Sequence, residues 1–493
     1  MRFGIDFGTT RTVVAAVDRG NYPVVNFADK FGDPHEFIPS VVALQGEDIV
    51  AGWEAQALDS PTLVRSFKRF LTSSKVTAAT PLRMGENTRT VGQVMQAFAK
   101  HVVTELEQFA NGEPIEVVLG IPANARSAQR LLTLDAFNRA GAQVVAMVNE
   151  PSAAAFEYSH RYSQTFNSQR SRVIVYDLGG GTFDVTLMHI NGRSHEVETS
   201  FGISRLGGDD FDDALVKLAL ESTGRGDDAF GRRAWQKLVD EARTAKEQLK
   251  PQSRRLILEV GEDDVIVAVP DFYKAVTPLV EQTLEAMLPL VGSSGSLTDT
   301  DIAGIYLVGG ASALPLVPRL LREKFGRRIH RSPLPTASTA VGLAIAADPE
   351  SSYLLSDRLS RGIGVFRETD GGAQVTFDKL VGPEAKAEDG NTITVERHYH
   401  AAHNVGWFRF VEYSAQAAND VEPGDFTLLA EVAVPFDPAL RKLDPEELAK
   451  VPVTRGEFGI DVTETVTIDA NGIAAIHIRC SDGFEVEVEG KVL

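Results

Sequence analysis

FGIDFGTTRTVVA, from Phe3 to Ala15, and VIVYDLGGGTFDVTL, from Val173 to Leu187, follow one plan. Each runs an apolar strand into an aspartate, turns through glycine and threonine, and leaves on a second alternating strand, the pattern of a β-hairpin. Glycine admits backbone conformations closed to other residues, so the N–H groups of such a turn can converge on one concavity, which suits an anion. Asp6 and Asp177 then face the phosphates, placed to hold Mg²⁺ through its waters, since that ion takes oxygen ligands and dehydrates reluctantly. Two copies in one chain predict a duplicated lobe with a nucleotide clamped between the halves.

Length and charge set the frame. At 493 residues the chain exceeds one compact core, so two or three domains are expected. Hydrophobic residues at 43% and charged ones at 24% are those of a globular protein. The net charge of −19, with no cluster of Lys and Arg, argues against a nucleic-acid partner. A single cysteine, Cys480, excludes a disulfide framework and fits a reducing compartment. No apolar run approaches the roughly 18 residues of a membrane span. Met1-Arg2 leads straight into the first strand, leaving no signal peptide. A cytoplasmic protein without a membrane partner is the expectation.

From Met1 to about Glu350, strand-like runs alternate with helical periodicity, which predicts α/β architecture. Val117–Gly120 and Val144–Val148 read as short buried strands around a helix from Ser127 to Ala140, stopped by Gly141. Glu150 precedes a helix that opens on Pro151. Leu206-Gly207-Gly208-Asp209-Asp210 opens another, whose N-terminus can approach an anion. A helical insertion over about 229–250 follows, then strands at Arg255–Val260 and Val265–Val269 and a long helix over Asp271–Val291. Ile305–Ser312 (IYLVGGAS) is a third strand-to-glycine turn, without an aspartate, better suited to the nucleoside or α-phosphate than to a metal. Beyond Ser356 the pattern changes to short alternating strands, including Trp407–Glu412, Val462–Ile468 and Ile473–Cys480, the last two joined by the turn Asp469-Ala470-Asn471-Gly472. These predict a separate β-sandwich over residues 358–493, after a linker at 351–357. The preceding α/β region divides into lobes at about 1–168 and 169–350.

Phosphoryl transfer to water needs phosphates held, their charge neutralised and a water aligned. Backbone donors come from Gly8-Thr9-Thr10 and from Gly179-Gly180-Gly181-Thr182, carboxylates from Asp6 and Asp177, with Asp184 near the latter. Lys68 offers a point charge for the γ-phosphate, and Glu150 a carboxylate to orient or deprotonate the water. Alone, each glycine turn reads as a structural hairpin, Lys68 as a surface lysine, and Glu150 as a helix-start carboxylate favoured by the macrodipole. Three glycine turns at strand ends, two with aspartate, favour the site.

These motifs resemble the seventy-kilodalton heat-shock (DnaK-like) chaperone family, within the actin and sugar-kinase superfamily of ATPases. FGIDFGTT resembles its first phosphate loop, NEPSAAA (Asn149–Ala155) its connecting segment, DLGGGTFDV its second phosphate loop, LGGDDFD the helix entry that follows, and LVGGAS its adenosine loop. RGEFGIDVTETVTIDANGIAAIHI resembles the closing strands of its β-sandwich substrate-binding domain. The resemblance implies catalytic roles for Lys68, Glu150, Asp177 and Thr182. It implies nucleotide contacts at Gly8, Thr9, Thr10, Arg11, Gly179, Gly180, Gly181, Gly207, Gly208, Gly309, Gly310, Ala311 and Ser312. It implies adenosine contacts at Arg243, Lys246, Glu247 and Lys250, and a water-bridged Mg²⁺ at Asp6 and Asp177. ATP and ADP are the implied ligands, with K⁺ a further candidate ion, and Pro122 matches a proline that relays nucleotide state.

Departures fall at the base-contacting face. Arg243 stands where the family usually has glutamate, Lys250 where it has serine, and Glu247 where arginine or an aliphatic residue is frequent. Arg11 adds a guanidinium near the phosphates, or serves a surface ion pair. Thr336 replaces a usual aspartate, the linker lacks the leucine run, and an α-helical lid is not expected. The implied activity is slow ATP hydrolysis coupled to a hold on extended or unfolded polypeptide, with J-type co-chaperones or exchange factors as further partners and a monomeric state. A nucleotide-regulated interaction module with negligible turnover is the alternative. A sugar kinase or an actin-type filament is disfavoured by the appended sandwich.

Overall fold

The computed structural model describes the chain except for residues 59, 74–75, 123–124, 126, 163–169, 193, 204, 225–229, 262, 292–300, 327, 352–361, 371–372, 383–384, 386–391, 414–425, 469–473 and 491–493. The expected linker and the Asp469–Gly472 turn lie wholly or largely outside the described residues. Met1–Ser356 and Asp357–Leu493 form two compact units.

The first unit is built twice on one strand plan. Its opening hairpin pairs β1 (Arg2–Phe7) with β2 (Arg11–Ala16), and the short β3 (Ile38–Pro39) continues antiparallel beside β2. Helices α1 (Gly52–Ala57) and α2 (Val91–Ala110) come next in the chain. Then β4 (Glu116–Ile121) pairs parallel with β1, α3 (Ser127–Arg139) crosses over, β5 (Gln143–Asn149) pairs parallel with β4, and α4 (Glu150–Arg161) follows. The second half repeats the order. Hairpin β6 (Arg172–Leu178) and β7 (Phe183–Asn191) carries an antiparallel β8 (Ser194–Ile203). Helices α5 (Gly208–Thr223) and α6 (Arg232–Glu247), the ribbon β9 (Arg255–Val260) and β10 (Asp263–Ala268), and α7 (Val269–Ala286) intervene. Then β11 (Ile302–Val308) pairs parallel with β6, α8 (Leu316–Phe325) crosses over, and β12 (Ile329–Arg331) pairs parallel with β11. The two sheets thus read β5-β4-β1-β2-β3 and β12-β11-β6-β7-β8, the same topology position by position.

Local sequence explains the frame. Helix α2 starts on Thr90, whose hydroxyl accepts from the Gln93 N–H while the Gln93 side chain accepts from the Thr90 N–H, a capping box. It ends at Asn111 with φ 50°, a residue that tolerates the left-handed region. Val91, Val94, Met95, Phe98, Val102 and Leu106 recur at helical spacing and are buried. Phe98 lies 5.4 Å from Phe7, which also meets Phe67 and Phe137 at 6.0 Å, centroid to centroid. Each such buried ring contributes about 2–3 kcal/mol of hydrophobic stabilisation.

One element departs from the expected lobe division. Helix α9 (Ser338–Ala347), with only Ala346 short of full burial, returns from the second half to pack on β1, β2 and α4. Gly4 on β1 leaves no room for a side chain against the backbone of Leu343 and Ala344, and Gly342 meets the Ala153 backbone equally closely. The region after β12 therefore belongs to the packing of the first sheet.

The second unit is a β-sandwich. One sheet orders β13 (Gly362–Thr369), β14 (Gln374–Val381), β16 (Val405–Tyr413) and β17 (Phe426–Pro435) as β14-β13-β16-β17; the other orders β15 (Ile393–His400), β18 (Asp461–Ile468), β19 (Ala474–Cys480) and β20 (Glu485–Gly490) as β15-β18-β19-β20. Alternate residues such as Val462, Val466, Ile476 and Ile478 face a shared core with Val365, Phe410 and Val432. Among the described residues, no helix is long and apolar enough to cross a membrane.

Candidate functional site

The tips of the β1–β2 and β6–β7 hairpins meet at the floor of a cleft between the two halves of the first unit. In the first tip the Gly8 N–H donates back to the Asp6 carbonyl at 3.0 Å, and the Ser40 hydroxyl donates to the Gly8 carbonyl at 2.8 Å. In the second the Gly179 N–H donates to the Thr182 carbonyl at 3.0 Å. The tips touch, because a Cβ on Gly180 would stand 2.6 Å from Thr10 Cγ2, and one on Gly181 2.7 Å from Thr9 Cγ2. Gly8, Thr9, Thr10, Gly179, Gly180, Thr182, Gly208, Gly309, Gly310 and Ala311 all line the cleft.

Some glycines serve packing instead. The N-terminus of α5 braces the second tip through Gly208 N–H to the Gly179 carbonyl at 2.9 Å and Asp209 N–H to the Gly180 carbonyl at 2.7 Å. A Cβ on Gly207 would sit 2.6 Å from the Gly180 oxygen, so Gly207 permits that approach and does not itself line the cleft. Gly309, at φ 80°, lies so close to the second hairpin that a Cβ would meet Asp177 Oδ1 at 2.5 Å. Ser312 is buried and donates to the Gly309 carbonyl at 2.7 Å, fixing this third turn from behind.

The floor gathers four carboxyls and one ammonium. Lys68 and Glu150 are 4% and 9% exposed, with Lys68 Nζ donating to Glu150 Oε1 at 3.1 Å and to the Phe7 carbonyl. Lys68 sits on a short 3-10 turn over Phe67–Thr72 that Ser66 enters at φ 50°, its hydroxyl donating to Asp209 Oδ2 at 2.8 Å. Burial, then the charge of Glu150, pushes the Asp6 carboxyl well above the carboxylate range. Burial and Glu150 do the same to Asp177, and to Asp184, which is pushed up to about 8. Asp184 Oδ1 is buried without a hydrogen-bond partner among the described residues. A site with this excess of buried negative charge accepts a cation. Among the described residues, no three His, Cys, Asp or Glu side chains are grouped for direct chelation.

The α6 residues are engaged with protein partners. Arg243 pairs with Asp209 at 2.9 Å and Asp212 at 3.0 Å. Lys246 pairs with Asp212 at 2.6 Å and donates to the Gly208 carbonyl at 2.7 Å. Arg11 and Glu247, both cleft-lining, bind each other at 2.6 Å, and the Arg11 guanidinium stacks 4.5 Å from the Phe37 ring centroid. That pair ties β2 to α6, and Arg65–Asp240 at 2.6 Å and Arg69–Asp210 at 3.0 Å add further ties between the halves. Lys250 is exposed beyond the end of α6 and does not line the cleft. Asp212, the hub of the α5–α6 ion pairs, and Thr339 on the cleft wall were not singled out from sequence. The run Asp209-Asp210-x-Asp212-Asp213 was the signal for the first. Pro122 is buried, its carbonyl accepting from the Ala125 N–H at 2.9 Å.

Two like-built lobes, each presenting a glycine hairpin with an aspartate to a common cleft, define the actin-like ATPase fold. The chain belongs to the Hsp70 family, whose model, described as Hsp70 protein, matches residues 2–357. It is 32% identical over 423 residues to the "Chaperone protein HscA homolog" of Shewanella sediminis, covering 79% of this chain and 66% of that protein. It is 33% identical over 421 residues to the "Chaperone protein HscA" of Cronobacter sakazakii, with 79% and 65% covered. To the "Chaperone protein DnaK" of Mycoplasma mycoides it is 29% identical over 496 residues, with 97% and 77% covered. The matched chain thus spans just under two-thirds of the length of the two HscA relatives.

Proposed function

We propose that the protein is an ATP-hydrolysing chaperone in which nucleotide state modulates the hold of the β-sandwich on extended polypeptide. The observation that carries this reading is the cleft floor, where Lys68 is, among the described residues, the cation that acts on Asp6, Asp177 and Asp184, with Glu150 beside it, beneath two touching glycine turns. Backbone N–H groups of Gly8–Thr10 and Gly179–Thr182 hold the phosphates, and Thr182 contacts the γ-phosphate. Asp6 and Asp177 would hold Mg²⁺ through its waters, which fits the surplus of buried acid at the cleft floor. Bound there, the ion would neutralise phosphate charge, and K⁺ would meet the same acids.

The chain's own groups then align the water. Lys68, fixed between Glu150 and the Phe7 carbonyl, donates to the water oxygen, while Glu150 or Asp177 takes its proton. The oxygen bonds to the γ-phosphorus as the bond to the ADP oxygen breaks. The sandwich binds peptide through strand-edge hydrogen bonds and apolar pockets. Cytoplasmic location, a monomeric state, and J-type or exchange-factor partners belong to this same reading.

Single-turnover ATP hydrolysis by wild type and Lys68→Ala, with and without an extended apolar peptide, tests it. Loss of positioned donation should slow the variant by about 100-fold or more. Equal rates would remove Lys68 from catalysis. A peptide that changes neither rate nor nucleotide affinity would favour the regulated-module alternative.

A further inference from the structure

A second recess, of about 420 Å³, opens between the strand Phe27–Ala28, α1 and α2, and shares no lining residue with the interlobe cleft. Its size falls within the range of small-molecule sites. Phe27, Ile38, Ala57 and Leu58 make its wall apolar. The Trp53 ring is held rigid beside them. Its indole N–H donates to the Phe37 carbonyl at 3.1 Å, and the ring stacks on His35 with centroids 4.0 Å apart.

Five titratable groups line this surface: Asp29, which pairs with His35 at 3.3 Å, and Lys30, Glu54, His101 and Glu105. Gly52, at φ 64°, lacks the side chain that would collide with the His101 imidazole, so His101 packs against the start of α1. Burial holds His101 below its ordinary pKa, hence neutral and able to accept. Burial alone pushes the Glu105 carboxyl up; it accepts from the Gln108 amide at 3.3 Å, and among the described residues no cation offsets the cost. Glu54 stands exposed at the rim. Lys30, the one lysine of the lining, sits with Nζ 4.9 Å over the Phe31 ring.

We propose that this recess binds a small organic cation, an amine or guanidinium carried on a short hydrocarbon body. The charged head meets Glu105 and Glu54, an N–H donates to neutral His101, and the hydrocarbon lies along Ile38 and the face of Trp53, where a nearby cation is also attracted to the ring. The recess goes beyond the ATPase reading and stands without it.

The test uses the full chain with Trp235→Phe and Trp407→Phe, leaving Trp53 the sole tryptophan. Agmatine, butylamine and butyrate are titrated while Trp53 fluorescence is followed, with calorimetry on the wild-type chain in parallel. A saturable response to agmatine and butylamine, and none to butyrate, is expected. Glu105→Gln, with an unchanged melting midpoint, should weaken agmatine about tenfold, the scale of one hydrogen bond to a charged group. No saturation by either amine, equal affinity in Glu105→Gln, or tighter binding of butyrate would each overturn the assignment, the last by handing the recess to Lys30.

Discussion

Both units bury charge, and they treat it in opposite ways. In the β-sandwich, Glu464 is fully buried and fully engaged. Arg367 grips both its oxygens, at 2.6 and 3.1 Å, and the Tyr399 hydroxyl donates at 3.0 Å. Arg367 also reaches Asp378 at 2.8 Å, which Arg397 holds from the other side at 3.2 Å. In the cleft, among the described residues, Asp6, Asp177 and Asp184 share Lys68 with Glu150, and Asp184 keeps a buried oxygen with no hydrogen bond. A buried network that closes on itself specifies a fold; one left open is set for a ligand that brings the missing charge.

Breaking each network should expose the difference, most strongly in the sandwich. Glu464→Ala strips Arg367 of its bidentate partner and leaves it Asp378 alone, so it should destabilise the second unit by about 3 kcal/mol, the low end of the cost of breaking a buried pair. Urea unfolding followed by Trp407 fluorescence, in a chain with Trp53 and Trp235 replaced by Phe, measures it. Asp184→Asn should do the reverse in the cleft. It removes a carboxyl whose ionised form burial and Glu150 oppose, so above about pH 8 the nucleotide-free chain should gain about 1 kcal/mol, while Mg²⁺-dependent ADP binding weakens. A destabilised Asp184→Asn chain would mean the cleft is as closed a network as the sandwich.

Smaller effects refine the contrast. Arg11 and Glu247 are 30% and 43% exposed, so their pair is worth about 0.2–1 kcal/mol. Glu247→Lys should speed ADP release severalfold, and the swap Arg11→Glu with Glu247→Arg should restore it. If the swap fails to rescue, the pair does not restrain the cleft. The smallest effect concerns acid. Burial would raise the Asp378 carboxyl, but hydrogen bonds from Arg397 and Arg367 outweigh it and hold the group low. Its stabilisation is therefore present above the ordinary carboxylate range and lost as pH falls through its depressed pKa. Asp378→Asn should flatten the acid limb of the sandwich's stability by less than about 1 kcal/mol, since the group is partly solvated. An unchanged limb would assign the acid sensitivity elsewhere.

The elements that sequence reveals here are those whose pattern is local. The hairpins could be read because alternation, aspartate and glycine sit within a dozen residues, and Val117–Gly120 falls inside the strand Glu116–Ile121. Helix Ser338–Ala347 could not, because it is apolar on nearly every face and shows no polar stripe to mark its period. The candidate site divides the same way. Lys68 and Glu150, set side by side by the family resemblance, lie 3.1 Å apart although 82 residues separate them. That Arg243 and Lys246 close on Asp212, and Arg11 on Glu247, depends on partners 31, 34 and 236 residues away in sequence, where only the fold decides who meets whom.

The bare contact of Gly180 on Thr10 has a mechanical consequence. Where the two tips touch, Gly180 lies bare against the Thr10 side chain and Arg69 reaches across to the Gly181 carbonyl at 3.3 Å, so the floor of the cleft works as a narrow bearing between the halves, while the rim carries the clasps. A methyl added at Gly180 would stand 2.6 Å from Thr10 Cγ2 and act as grit in that bearing.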